Sequence, residues 1–119
     1  MIAELKSFSV PPTPVLRAMV GSYLLMGESD SALKDWGNIV ILLNKTGKLS
    51  VKRRVQELQL ESVSEEVAEK ARSQIMGLTS DEVYEANQAA SLFFDWTEMI
   101  CYERRCLSEE PKMPAPVEI

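Results

Sequence analysis

The chain has 119 residues, a mass of 13.4 kDa and a net charge of −5, which predicts one small domain that needs no disulfide or metal ion to fold. It contains no histidine and only two cysteines, which excludes His-dependent nucleophilic catalysis and His-based or four-cysteine zinc sites. We also expect no phosphate-binding loop, no secretory signal and no membrane span, because no glycine-rich, signal-peptide or long apolar pattern is recognisable. We therefore expect a binding module rather than an enzyme, and one without a cofactor.

The charge is distributed unevenly along the chain. Residues 1–60 carry eight Lys/Arg and five Asp/Glu, whereas residues 61–119 carry five Lys/Arg and thirteen Asp/Glu. The basic excess is concentrated in one short segment that contains Lys45, Lys48, Lys52, Arg53 and Arg54. This segment is either a solvated helix face or a small patch for an acidic partner.

The first long helix is predicted to begin after the Pro-Pro pair at 11–12, because proline disfavours helical backbone in the residue before it. Thr13 is suited to cap this helix and Pro14 to occupy its first turn. Gly27 is a typical left-handed stop at the other end. Gly21 interrupts a widely apolar sequence, which indicates a close approach by another helix.

The second helix is predicted over Ala32–Leu43, with Trp36 on it. The β-branched run at 38–43 is ambiguous, because a turn at 45–48 followed by residues 49–51 is also compatible with a β-hairpin. We favour the helix because the flanking segments have helical patterns. A third short helix is predicted from Ser50 to Gln59.

A fourth helix is predicted after a serine cap at Ser62 or Ser64 and ends at Gly77. Thr79 and Glu82 then have the spacing of a capping box that opens a helical segment reaching about Ser108, with a break near Ala90. Its apolar stripe comprises Val83, Ala86, Ala90, Phe93, Phe94, Thr97, Ile100 and Cys101.

Three side-chain expectations accompany these helices. Trp36 and Trp96 are expected in the core, because large aromatic residues on apolar stripes are usually buried. Cys101 and Cys106 diverge on one helix, so we expect no disulfide between them and a reducing compartment. The sequence as a whole predicts a compact all-α bundle of five to six short helices.

The order of these features resembles a known family. Residues 4–12, ELKSFSVPP, resemble the end of the outgoing coiled-coil strand of dynein heavy chains, which leads into the microtubule-binding domain at the stalk tip. Further markers at similar spacing are Leu25-Met26-Gly27, Trp36, Val63–Val67, Ala89-Ala90, Trp96, Tyr102 and Pro111. The resemblance extends over residues 3 to 112 and rests on the combination of markers, since no single one is specific.

The resemblance implies a helical bundle that caps an antiparallel coiled-coil stalk. Residues 1–10 would end the outgoing strand, 11–111 would form the tip domain, and 112–119 would be a tail or the start of the return strand. The partner would be tubulin in the microtubule, with no nucleic acid or membrane. The chain would hydrolyse nothing, because the ATPase ring of such motors lies elsewhere. It would work in the cytoplasm, on the cytoskeleton or in a ciliary axoneme.

Within that resemblance, several usually basic positions are not basic. Leu16, Ala68, Glu85 and Asp95 occupy them. The basic residues left to attract tubulin are Arg17, Lys52, Arg53, Arg54 and Lys70. The interval from Trp96 to Tyr102 is also one residue shorter than is usual in the family. This implies either a local bulge in the helix or a return strand that leaves on a different face. An alternative function is therefore a protein-interaction module that docks an accessory light chain, with weak or no microtubule binding.

Overall fold

The computed structural model describes the backbone of residues 2–109 and the side chains of residues 4–106. Within that range the chain is all-α and contains no strand, which confirms the predicted class. Seven α-helices are present there, rather than five to six: α1 (Ile2–Ser7), α2 (Thr13–Leu25), α3 (Trp36–Leu43), α4 (Val51–Glu57), α5 (Glu65–Ile75), α6 (Ser80–Ala86) and α7 (Gln88–Glu109). The predicted tail at 112–119 lies outside the described residues.

Helix α2 is the central element of the bundle. It packs against α5, α7 and α6, so it is covered on more than one side. Its buried residues are Val15, Ala18, Met19, Gly21, Ser22, Tyr23, Leu24 and Leu25. Burial on more than one side is expected for a helix whose apolar surface is this wide.

Gly21 lies at the closest approach between α2 and its neighbours. A Cβ atom at this position would lie 3.3 Å from the Ala71 carbonyl oxygen of α5 and 3.4 Å from the Cγ2 atoms of Ile75 and Thr97. These distances leave no room for a larger side chain. The glycine in mid-helix therefore permits the contact of three helices at one point.

The same contact contains a buried polar pair. The hydroxyl oxygens of Ser22 in α2 and Thr97 in α7 are 2.8 Å apart, and both side chains are fully buried. Ser22 Oγ also lies 3.0 Å from the Ala18 carbonyl and 3.2 Å from the Phe93 carbonyl. The two hydroxyls thus satisfy each other where α2 meets α7.

The two ends of α2 differ from each other in how well the sequence predicts them. The helix already includes Thr13, and its N-cap is Pro12 with no side-chain cap, so the predicted Thr13 cap is wrong by one residue. At the other end Gly27 has φ +104°, and Glu28 N–H donates to the Tyr23 carbonyl at 3.0 Å. This left-handed stop was predicted and is confirmed.

The predicted helix over Ala32–Leu43 is divided in two. A 3-10 turn covers Ser31–Leu33, and α3 begins at Trp36 after Asp35, whose carboxylate accepts from Gly37 N–H at 3.1 Å. The aspartate cap starts a new helix, so one continuous helix is incorrect. The hairpin alternative is also wrong, because 38–43 is helical.

The later helix boundaries follow their predicted caps closely. Ser64, rather than Ser62, caps α5, and Thr79 and Glu82 form the predicted capping box. The break in the last helical segment falls at Asn87, three residues before the predicted position, and Asn87 Oδ1 accepts from Ala90 N–H at 3.0 Å. From 88 to 109 the α-helix continues without a bulge, so a bulge does not absorb the short Trp96–Tyr102 interval.

The N-terminal helix α1 folds back onto the bundle, where it contacts α3 and α7. Leu5 is fully buried, and Phe8 is packed against the core. Trp36 is buried as predicted, and its indole Nε1–H donates to the Phe8 carbonyl at 2.9 Å. Trp96 is partly buried against the same core. The described part of the segment at 1–10 is thus a short docked helix.

We predict that Gly21→Leu lowers the free energy of unfolding by about 1–3 kcal/mol, although leucine is the better helix former. The reason is that its side chain would collide with the Ala71 carbonyl and with Thr97. Urea denaturation measures the change. Val20→Leu is the matched control, because Val20 is adjacent and only partly buried. Equal stability of the two variants would contradict the close approach.

Candidate functional site

A basic surface is formed by the loop after α3 and by α4. Four exposed cations, Lys45, Lys48, Lys52 and Arg53, make up what we call the α4 patch. No carboxylate occurs in the sequence between Asp35 and Glu57, so Glu57, the last residue of α4, is the one acidic side chain of this segment.

Local sequence features hold the α4 patch in this conformation. Gly47, at φ +65°, begins a 3-10 turn, and Ser50 Oγ caps α4 by accepting from Arg53 N–H at 3.2 Å. Val51 is buried and anchors the helix to the core, which leaves Lys52 and Arg53 exposed. Leu49, 58% exposed, adds an apolar contact point among the lysines.

The predicted site residues of α4 differ in their surroundings. Arg53 forms an ion pair with Glu57 one turn later, and this hydrogen bond raises the pKa of the Arg53 guanidinium. Both side chains are about half exposed, so the pair is weak and exchangeable. Lys52 is exposed and forms no ion pair within the part of the chain that the structure describes.

Arg54 has a structural role instead. Its guanidinium lies 3.1 Å from Glu28 Oε2, donates to the Met26 carbonyl at 2.9 Å and lies 5.9 Å from the centroid of the Tyr23 ring. It therefore fastens α4 to the C-terminal end of α2. Burial raises the pKa of Tyr23 well above its ordinary value, an effect that Arg54 partly opposes.

Arg17 is also a structural residue. Its guanidinium donates to the Gln74 carbonyl at 2.6 Å and to the Met76 carbonyl at 2.8 Å. These carbonyls lie at the C-terminal end of α5, where unpaired acceptors and the helix dipole favour a cation. Arg17 and Arg54 thus each join two elements of the bundle.

Lys70 belongs to a different surface from the α4 patch. It pairs with Asp30 at 3.4 Å and lines a groove of about 440 Å³ with Arg17 and Lys34. The structure therefore brings together Arg17 and Lys70 in one place and Lys52 and Arg53 in another. The five predicted residues do not form one continuous site.

The four positions at which the resemblance implies a basic residue, but this chain has none, lie in different surroundings. Ala68 is buried, and its carbonyl accepts from Cys101 Sγ at 3.5 Å, so a lysine there would have to enter the core. Leu16 is partly buried beside Arg17. Glu85 and Asp95 are exposed, and Asp95 accepts a hydrogen bond from Ser80 Oγ at 3.0 Å.

A second surface escaped the sequence analysis. A groove of about 660 Å³ lies between α7 and the end of α5, and we call it the α5–α7 groove. Met76, Met99 and Tyr102 line it and are 56%, 47% and 68% exposed. The spacing of Met99 and Tyr102 on the face of α7 away from the core was a usable sequence signal. The buried apolar stripe of α7 does not reveal this exposed pair.

The two cysteines are not bonded to each other, in agreement with the prediction from their spacing. Both thiols are free, Cys101 is buried and Cys106 is exposed. Burial raises the pKa of the Cys101 thiol to about 11, which keeps it protonated and unreactive at neutral pH. This buried thiol is a packing group of the core.

The chain was compared with models of protein families, with curated proteins and with solved structures, and none of them matches it. Among residues 2–109, no helix combines the length and the apolar character that crossing a membrane requires.

We predict that substitutions of two adjacent arginines differ in their effect on the free energy of unfolding. Arg54→Ala lowers the free energy of unfolding by about 1.5–3 kcal/mol, because it removes charged hydrogen bonds to Glu28 and the Met26 carbonyl. Arg53→Ala is the matched control and changes stability by less than about 0.5 kcal/mol, because its ion pair is solvated. Thermal and urea unfolding measure both. A stable Arg54→Ala variant would refute the structural role.

Proposed function

We propose that this chain binds the microtubule surface through the α4 patch, as the non-catalytic tip domain of a dynein-type motor stalk. The observation that carries the proposal is the exposed basic stretch 45–53, which contains no carboxylate, on a chain whose net charge is −5. The resemblance of residues 3–112 to the dynein stalk tip implies that the partner is tubulin. On that view the protein works on the cytoskeleton, in the cytoplasm or in a ciliary axoneme.

The charge pattern supports weak, salt-sensitive binding. Lys45, Lys48, Lys52 and Arg53 give the patch four cations that face solvent, and Leu49 adds apolar contact. Attraction between a basic patch and an acidic surface mainly accelerates encounter and is screened by salt. Arg53 would exchange Glu57 for a carboxylate of the partner, whereas Arg54 would remain with Glu28.

A second candidate function is a protein-interaction module with little or no microtubule binding. It is favoured by the exposed Glu85 and Asp95, which would repel an acidic filament, and by the exposed apolar residues of the α5–α7 groove. An accessory light chain is the kind of partner that the resemblance implies. The two candidates differ in whether the α4 patch or the groove carries the binding.

The proposal predicts that Lys48→Gln/Lys52→Gln weakens microtubule binding by about three- to tenfold at low salt and flattens its salt dependence. The two removed charges face solvent in the α4 patch, so folding is unaffected. Co-sedimentation with taxol-stabilised microtubules at two salt concentrations measures the effect.

The matched control is Lys34→Gln/Arg72→Gln, which removes the same charge from exposed positions outside the patch. It should leave binding within about twofold of the unmodified protein. Equal losses from both double variants would mean that binding follows net charge alone. No binding by the folded, unmodified chain would reject the function itself and favour the interaction module.

A further inference from the structure

The α5–α7 groove carries opposite charges at its two ends, and the function proposed above does not involve this groove. The two helices are antiparallel: the Val63 carbonyl before α5 accepts from Arg104 late in α7, and Ser80 after α5 contacts Asp95 early in α7. The groove therefore runs along α7 from Asp95 to Arg105. It has a carboxylate at one end and a guanidinium at the other.

The side chains between these ends are typical of a protein interface. Met99 and Tyr102 are 47% and 68% exposed, and Met76 faces them across the groove with 56% of its surface exposed. Methionine adapts its shape to a partner surface, and tyrosine is enriched at interface hot spots. The groove-lining face of α7 is thus acidic at Asp95 and Glu98, apolar at Met99 and Tyr102, and basic at Arg105.

This order is complementary to itself. When a second α7 is laid antiparallel on the first, Asp95 of each copy faces Arg105 of the other. The midpoint of that register is residue 100, which brings Met99 and Tyr102 of both copies to the two-fold axis.

We propose that the α5–α7 groove is a self-association surface, in which two copies of this chain pair through antiparallel α7 helices about a two-fold axis. Two-fold symmetric pairing uses the same patch on both chains and so needs only the residues described above. Asp95 and Arg105 are about 15 Å apart along α7, so the contact is small and the dimer belongs to the weak, transient class. The pairing is independent of microtubule binding.

The test is sedimentation velocity of the full 119-residue chain from about 5 to about 500 µM at physiological salt, the range in which a small interface associates. We expect a reversible monomer–dimer equilibrium. Met99→Glu abolishes it, because two carboxylates would meet beside the two-fold axis. Ile41→Glu is the matched control: Ile41 is an exposed apolar residue on α3, and this variant dimerises like the unmodified chain.

A charge exchange tests the register. Asp95→Lys and Arg105→Glu each weaken the dimer about ten- to hundredfold, because each places two like-charged contacts across the symmetric interface. The double variant restores affinity to within about threefold, because the pairs re-form with reversed sign. Circular dichroism verifies that every variant is folded.

Two results overturn the inference. One is a chain that remains monomeric at every concentration. The other is a dimer that neither Met99→Glu nor the charge exchanges alter, which would locate the interface elsewhere. Microtubule binding is measured separately, so failure here leaves the function proposed for the α4 patch untouched.

Discussion

The arrangement of the bundle depends on the close approach of α2 to α5 and α7 at Gly21. Because a Cβ there would lie 3.3 Å from the Ala71 carbonyl, any larger residue would require α5 or α7 to move away from α2. The Ser22–Thr97 hydroxyl pair beside it supplies the polar complement, since a buried hydroxyl without a partner would destabilise the contact. This contact fixes the position of α5 relative to α7, and the groove between the two helices follows from that position.

Two arginines have structural roles at the C-terminal ends of helices. Arg17 satisfies the last carbonyls of α5, and Arg54 satisfies the end of α2 while it holds α4 in position. The lysines remain on the surface because their charge is strongly hydrated and makes no comparable fork of hydrogen bonds. The basic segment is consequently divided: Arg54 fixes α4, and the α4 patch around it faces solvent.

Much of the fold follows from local sequence rules. The left-handed stop at Gly27, the Ser64 cap and the Thr79–Glu82 capping box are interactions within a few residues, so the sequence contains all the information they need. The division of the second helix at Asp35 was harder to predict, because helix propensity there is weak and the Asp35 cap decides the boundary. The site was harder to predict. The role of Arg17 depends on Gln74 and Met76, nearly sixty residues later, and the pattern of charges cannot distinguish a structural arginine from an exposed one.

The most direct test of the account is hydrogen–deuterium exchange of the folded chain with and without polymerised tubulin. In the free protein, amides of α2 should exchange slowest, because this helix is central and covered on several sides. On microtubules the account predicts that exchange slows across residues 44–57 and is unchanged at the α5–α7 groove. Protection of α7 alone, or no protection in the α4 patch under conditions where the chain co-sediments, would contradict the assignment of this patch as the microtubule-binding surface.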